Sequence, residues 1–107
     1  MVKMEPKERR FWDVELAPRT KKNKNKLPIT IQDQLTLLVK EIELLGPYRA
    51  NWKNYGPLEK RHGIPDDAFH CHLKKGKPTF VACWKIVSKK DRKIEVYYAG
   101  THESAPY

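Results

Sequence analysis

"LPITIQDQLTLLVKEIELLGP", residues 27–47, is the clearest regular element in the chain. Ile31, Leu35, Leu38, Ile42 and Leu45 recur at spacings of four and three, which puts them on one face of an α-helix. The ends are marked as well. Pro28 suits a first helical turn, Thr30 with Asp33 makes a weak capping pair, and Gly46 followed by Pro47 is a stop. Leu37, Val39 and Leu44 widen the apolar stripe, so the pattern predicts a helix covered on more than one side, with a partner protein as one candidate cover.

A helix with an apolar face requires a second layer, and the rest of the chain supplies strands. Runs at 68–74, 79–87 and 93–99 are separated only by "KGKP" and "SKKDRK", and such short polar links make antiparallel neighbours. Upstream, "RFWDVELAP" alternates, with Trp12, Val14 and Leu16 on one side, and ends as a strand at Pro18. Residues 1–9 are charged and read as a frayed start. The basic run "RTKKNKNK" reads as a solvated loop or a polar helix turn in preference to a phosphate-binding arm. Residues 47–67, rich in Pro, Gly, Asn and charge, form an irregular connection with a turn at Tyr55-Gly56-Pro57. The expected fold is α+β over residues 1–107 as a single domain: a small, mainly antiparallel sheet of an N-terminal strand plus a three-stranded meander, with a long helix packed on one face.

The 107 residues are 39% hydrophobic and 33% charged, a globular balance that fits one modest core. The net charge is +9, and residues 27–46 are the acidic exception at −2 between flanks of +5 and +6. Such a surplus favours a polyanionic partner, chiefly nucleic acid, because each Lys or Arg that neutralises a phosphate releases a counterion. No apolar run reaches the ~18 residues of a membrane span and no signal-peptide pattern opens the chain, so a cytoplasmic protein is expected. Cys71 and Cys83 lie in apolar strand-like segments and read as reduced core thiols.

Alternation on the strand "FHCHLK" sends Phe69, Cys71 and Leu73 under the helix and His70, His72 and Lys74 to the open face. Phe80, Ala82, Trp84 and Ile86 form one row on the next strand, and Ile94, Val96 and Tyr98 form one on the last. The histidines therefore share their face with Lys85 and Tyr97. A His-X-His pair suits a metal, but a stable site needs further ligands, Cys71 points the wrong way and the lysines repel a cation, so no metal site is expected. Two histidines on a wet sheet face is the plain structural alternative. The third reading is RNA chemistry. RNA carries its own nucleophile in the 2′-hydroxyl, and cleavage then needs a base, an acid and fixed positive charge. His70, His72, Lys74, Lys75 and Lys77 are of those types. Trp12 and Trp84 read as core and not as base-stacking platforms, and His62 in its charged loop has no role beyond a substrate contact.

"IEVYYAGTHESAPY", residues 94–107, taken with "FHCHL", "FVACWKIV", "NYGPL" and the opening "VEL" strand, resembles the RelE/ParE superfamily of bacterial toxins, most closely its RelE-like messenger-RNA interferases. The resemblance spans residues 10–107 and implies a RelE/ParE-like fold and a ribosome-dependent toxin. Such a toxin enters the ribosomal A site, cuts messenger RNA by metal-independent attack of the 2′-hydroxyl with no cofactor, and is neutralised by a cognate antitoxin. The basic or histidine position on the second strand falls on His70 or His72, the position after the last strand on His102, and the C-terminal aromatic on Tyr107. Where many members carry arginine on the middle strand this chain has Val81, which leaves phosphate stabilisation to Lys74, Lys75, Lys77 or Lys85. Two alternatives stand beside this: a ParE-like toxin that inhibits DNA gyrase without cutting, and a basic RNA-binding module.

Overall fold

The computed structural model describes residues 11–58 and 67–106. Its elements are β1 (Asp13–Leu16), α1 (Pro18–Lys24), α2 (Ile29–Leu45), β2 (Gly56–Pro57), β3 (Ala68–Lys74), β4 (Phe80–Ser88), β5 (Lys93–Thr101) and a 3₁₀ turn at His102–Ser104. The five strands make one sheet in the order β1-β5-β4-β3-β2. β1 runs parallel to β5, and the other pairings are antiparallel. The α+β architecture with a mainly antiparallel sheet is thus the observed one.

Four of the five residues of the predicted helical stripe are core, whereas Leu45, in the last position of the helix, is exposed. Ile31, Leu35, Leu38 and Ile42 are buried against Phe69, Cys71, Leu73, Ala82, Trp84, Ile94 and Val96 from three strands. Trp84 is wholly buried and donates its Nε1 proton to the Pro47 carbonyl at 3.1 Å, which ties the end of α2 to the sheet and satisfies the indole. Of the residues that widen the stripe, Val39 packs on the core while Leu37 and Leu44 stay about half exposed. Pro28 is the N-cap and not a first-turn residue. Its carbonyl accepts from the Ile31 and Gln32 amides at 2.9 and 3.0 Å, and the Thr30–Asp33 capping pair is not made. Gly46 closes the helix at φ +97°, where a side chain would be strained, and its amide bonds the Ile42 carbonyl at 2.8 Å.

The basic run after Pro18 is a two-turn helix. Pro18 starts it with a preset φ, Lys21, Lys22 and Lys24 near its C-terminal end complement the dipole, and Thr20 is buried. Periodicity could not reveal it, because α1 has no apolar residue on its buried side. Tyr55-Gly56-Pro57 contributes a two-residue strand, with Gly56 opposite His70 and Pro57 opposite Phe69. The expectation for residues 1–9 and for His62 falls outside the described residues.

Two bulges correct the expected faces. Cys83 pairs with Tyr98 but Trp84 pairs with Val96, so Tyr97 is the extra residue and parity inverts beyond it. Ala99 therefore joins the core, and Tyr98 lies beside Cys83 on the opposite face. On β3, His72 pairs with Val81 and Lys74 with Phe80, which shifts the register at Leu73. Lys74 is thereby turned to the helix side, away from the histidines. Cys71 and Cys83 are free thiols, and burial pushes both up to about 12, so they stay protonated and inert.

Candidate functional site

His70 and His72 stand on the open face because β3 alternates, and each is half-buried. Burial first, then the charges of His72 and His102, lowers the pKa of His70. For His72 the order is burial, His102, then Lys75. Both imidazoles are thus biased toward the neutral form at neutral pH. His72 Nδ1 is buried with no hydrogen-bond partner among the described residues, so the ring meets solvent through its other edge.

His102 arrives from thirty positions downstream. The His102 amide donates to the Thr79 carbonyl at 2.8 Å, which docks the 3₁₀ turn on the β3–β4 link. Just upstream in β5, the Tyr98 hydroxyl donates to the Thr101 carbonyl at 2.6 Å and lies 2.7 Å from the position that a Cβ on Gly100 would take. Gly100 is therefore needed for a close approach. The consequence is an edge-on pair of imidazoles, His72 and His102, with ring centroids 6.0 Å apart.

The two rings share a cavity of about 600 Å³ with Gly76, Lys77, Pro78, Thr79 and Glu103. Its size is that of a ligand pocket. Thr79 ties the β3–β4 link together, its hydroxyl donating to the Gly76 carbonyl at 2.8 Å and accepting from the Gly76 amide at 3.2 Å. Lys77 lines this cavity and also a narrower crevice of about 150 Å³ beside Pro28 and Thr30, where Lys74 and Lys75 lie. The lysine cluster thus straddles the link: Lys77 lines the histidine cavity and Lys75 acts on His72, while Lys74 lies on the helix side. Val81, fully buried, pairs with His72 on one side and Gly100 on the other, so the cavity side of β4 carries no charge at that level.

Lys85 is not brought to the cavity. It pairs with Ala68 and Glu95, and its ammonium lies 3.5 Å from the Glu95 carboxylate. Four residues along β4 from Val81 is ~13 Å. His70 stays on the histidine face but deeper in the strand, with Gly56 close to its Nε2. Tyr107 lies outside the described residues. Among the described residues no group of three or more His, Cys, Asp or Glu side chains is arranged to hold a metal. Nor is any described helix long and apolar enough to cross a membrane.

Sequence reasoning missed four residues. Glu103 and Thr79 line the cavity, and Tyr98 positions the segment before His102. The adjacency of Glu103 to His102 was a usable signal, whereas the Tyr98 role depends on a bulge no pattern revealed. The fourth is Glu41 on α2. Its Oε1 accepts from Trp52 Nε1 at 2.9 Å, Asn51 Nδ2 at 3.0 Å and Arg49 Nη1 at 3.4 Å. The Asn51 amide, then Trp52 and Arg49, hold this carboxyl below its usual range against the opposing effect of burial. The loop so clamped gives its Lys53 carbonyl to the His72 amide at 2.8 Å.

No protein-family model matches the chain, and no characterised protein matches it by sequence. Solved structures do. A free-state double-arginine variant of the Escherichia coli toxin RelE superposes with a TM-score of 0.63 at 19% identity, covering 89% of this chain and 87% of that one. RelE of the archaeal RelE–RelB complex from Pyrococcus horikoshii OT3 does so with a TM-score of 0.62 at 16% identity, covering 89% of this chain and 99% of that one. The intact E. coli RelBE toxin–antitoxin complex gives 0.55 at 19% identity, over 83% of this chain and 94% of that one. The arrangement of two helices against a five-stranded sheet, with a histidine pair at one end, is therefore built on the RelE fold.

Proposed function

We propose that this chain is an endoribonuclease toxin that cuts messenger RNA on the ribosome by attack of the 2′-hydroxyl on the adjacent phosphate. The observation that carries the reading is the His72–His102 pair, assembled from two remote segments across a cavity beside Lys77. His72, biased toward its neutral form, takes the 2′-hydroxyl proton, and the 2′-oxygen bonds to phosphorus. The 5′-oxygen leaves with a proton from His102, giving a 2′,3′-cyclic phosphate and a free 5′-hydroxyl. Lys77 stabilises the charge gathered on the phosphoryl oxygens. Neither the nucleophile nor the proton transfers call for a metal. Tyr107, at the C-terminus, stacks on or orients the substrate.

The partner in this reading is a cognate antitoxin, as in the RelE–RelB complexes whose fold the chain shares. The lysines of the β3–β4 link and the half-exposed Leu37 and Leu44 suit an acidic amphipathic segment. Inducible expression in bacteria with primer extension on messenger RNA tests the whole reading. Growth arrest with cuts in translated message is expected, relieved by co-expression of the adjacent reading frame. Arrest with intact message and altered DNA supercoiling would overturn it in favour of gyrase inhibition.

A further inference from the structure

His72 borders a second cavity, an open crevice of about 310 Å³ between α2 and the clamped loop, which shares only His72 with the cavity that holds His102. Its walls carry Gln34 and Glu41 from α2, and Asn51, Trp52 and Lys53 from the loop. These are hydrogen-bonding groups around an aromatic and aliphatic floor that includes Leu37 and Leu73, the mixture that recognises a heteroaromatic base. Lys53 adds a cation for a backbone phosphate. Because a cleaved phosphate lies between two nucleosides, two pockets that meet at the proton-transfer group suit a dinucleotide step.

We propose that this crevice is a base-reading subsite, which holds the base next to the cleaved bond and selects an amino-bearing one, adenine, cytosine or guanine, over uracil. It rests on the nuclease reading above. The selecting group is Glu41. All three of its donors, Asn51, Trp52 and Arg49, are spent on Oε1, and Oε2 accepts from no described residue. An ionised carboxylate oxygen accepts readily from an exocyclic amine, whereas uracil offers it only the N3–H, flanked on both sides by keto oxygens that repel it. The same clamp makes a sharp test. In Glu41→Gln the three donors demand an oxygen at the Oε1 position, so the amide nitrogen must occupy the Oε2 position and present a donor instead of an acceptor.

The test is cleavage of ribosome-bound messages that differ in the bases flanking the cut, mapped by primer extension for the wild type and Glu41→Gln. The wild type should favour the amino-bearing bases over uracil at one flanking position, and the variant should shift that ratio toward uracil by about tenfold, the worth of one charged hydrogen bond gained or lost. An unchanged ratio, or a uniform loss of rate at all sites, would overturn the subsite and leave the nuclease reading standing. Absence of cutting by the wild type would sink the nuclease reading itself. If Glu41→Gln does not fold, Gln34→Ala, outside the clamp, takes its place: a flattened preference supports the subsite and an unaltered one overturns it.

Discussion

At the scale of single residues, His72 and His102 have the most to lose. Alanine at either should lower message cleavage about a hundredfold or more, the usual worth of a proton-transfer group, and chelators selective for transition ions, which leave ribosomal Mg²⁺ in place, should leave wild-type cleavage unchanged. Neither side chain belongs to the core under α2, so urea unfolding should show a change of only about 0.5 kcal/mol. Wild-type cleavage by both folded variants would remove the site. The pH dependence has a definite sign. His70 and His72 have folded-state pKa values below the ordinary 6.5, so between pH 6.5 and those lower values the unfolded chain binds more protons than the native one. Their contribution to stability is therefore present above about pH 6.5 and is lost as pH falls, and cleavage should decline on the acid side as His72 protonates. Chemical denaturation and single-turnover rates from pH 5 to 8 would check both trends. Stability that rises on acidification would contradict them.

Among the elements, the end of β5 is the one whose local geometry positions chemistry. The Tyr97 bulge brings Tyr98 under Gly100, and the Tyr98–Thr101 bond then directs the chain into the turn that carries His102. A methyl at Gly100 would sit 2.7 Å from the Tyr98 hydroxyl and 3.1 Å from its Cζ. Gly100→Ala should thus destabilise by ~1–3 kcal/mol and slow cleavage more than its stability loss explains. In a Tyr98→Phe background the hydroxyl is gone, and the cost of the same methyl should shrink. A double-mutant cycle in urea measures that coupling, and strict additivity would show that the two residues do not meet.

Across the whole molecule, charge is distributed so that the lysines of the β3–β4 link and the histidine pair meet at one end of the sheet, while Lys85 is already matched by Glu95. Replacing Lys74, Lys75 and Lys77 together by Gln should weaken RNA or ribosome binding and reduce its log–log salt slope by about 2, as three phosphate contacts on a single strand would give. The Lys85→Gln variant should leave the slope nearly unchanged. Fluorescence binding titrations over a range of salt would decide, and an unaltered slope in the triple variant would place the RNA elsewhere.

Periodicity alone determined α2, its core stripe and the three C-terminal strands, because a helical or alternating apolar pattern is a direct record of which side faces the core. It also placed His70 and His72 on the face away from α2. Other features needed the tertiary structure. α1 packs through Thr20 and has no apolar stripe to announce it. The faces of Lys74 and Tyr98 follow from bulges, where one extra residue inverts every later side chain and composition carries no trace of it. The approach of His102 to His72 depends on strand register over thirty residues of chain, and the Glu41 clamp on a helix meeting a loop. Local sequence specifies local conformation. It does not specify which distant polar groups a packed core will bring into contact.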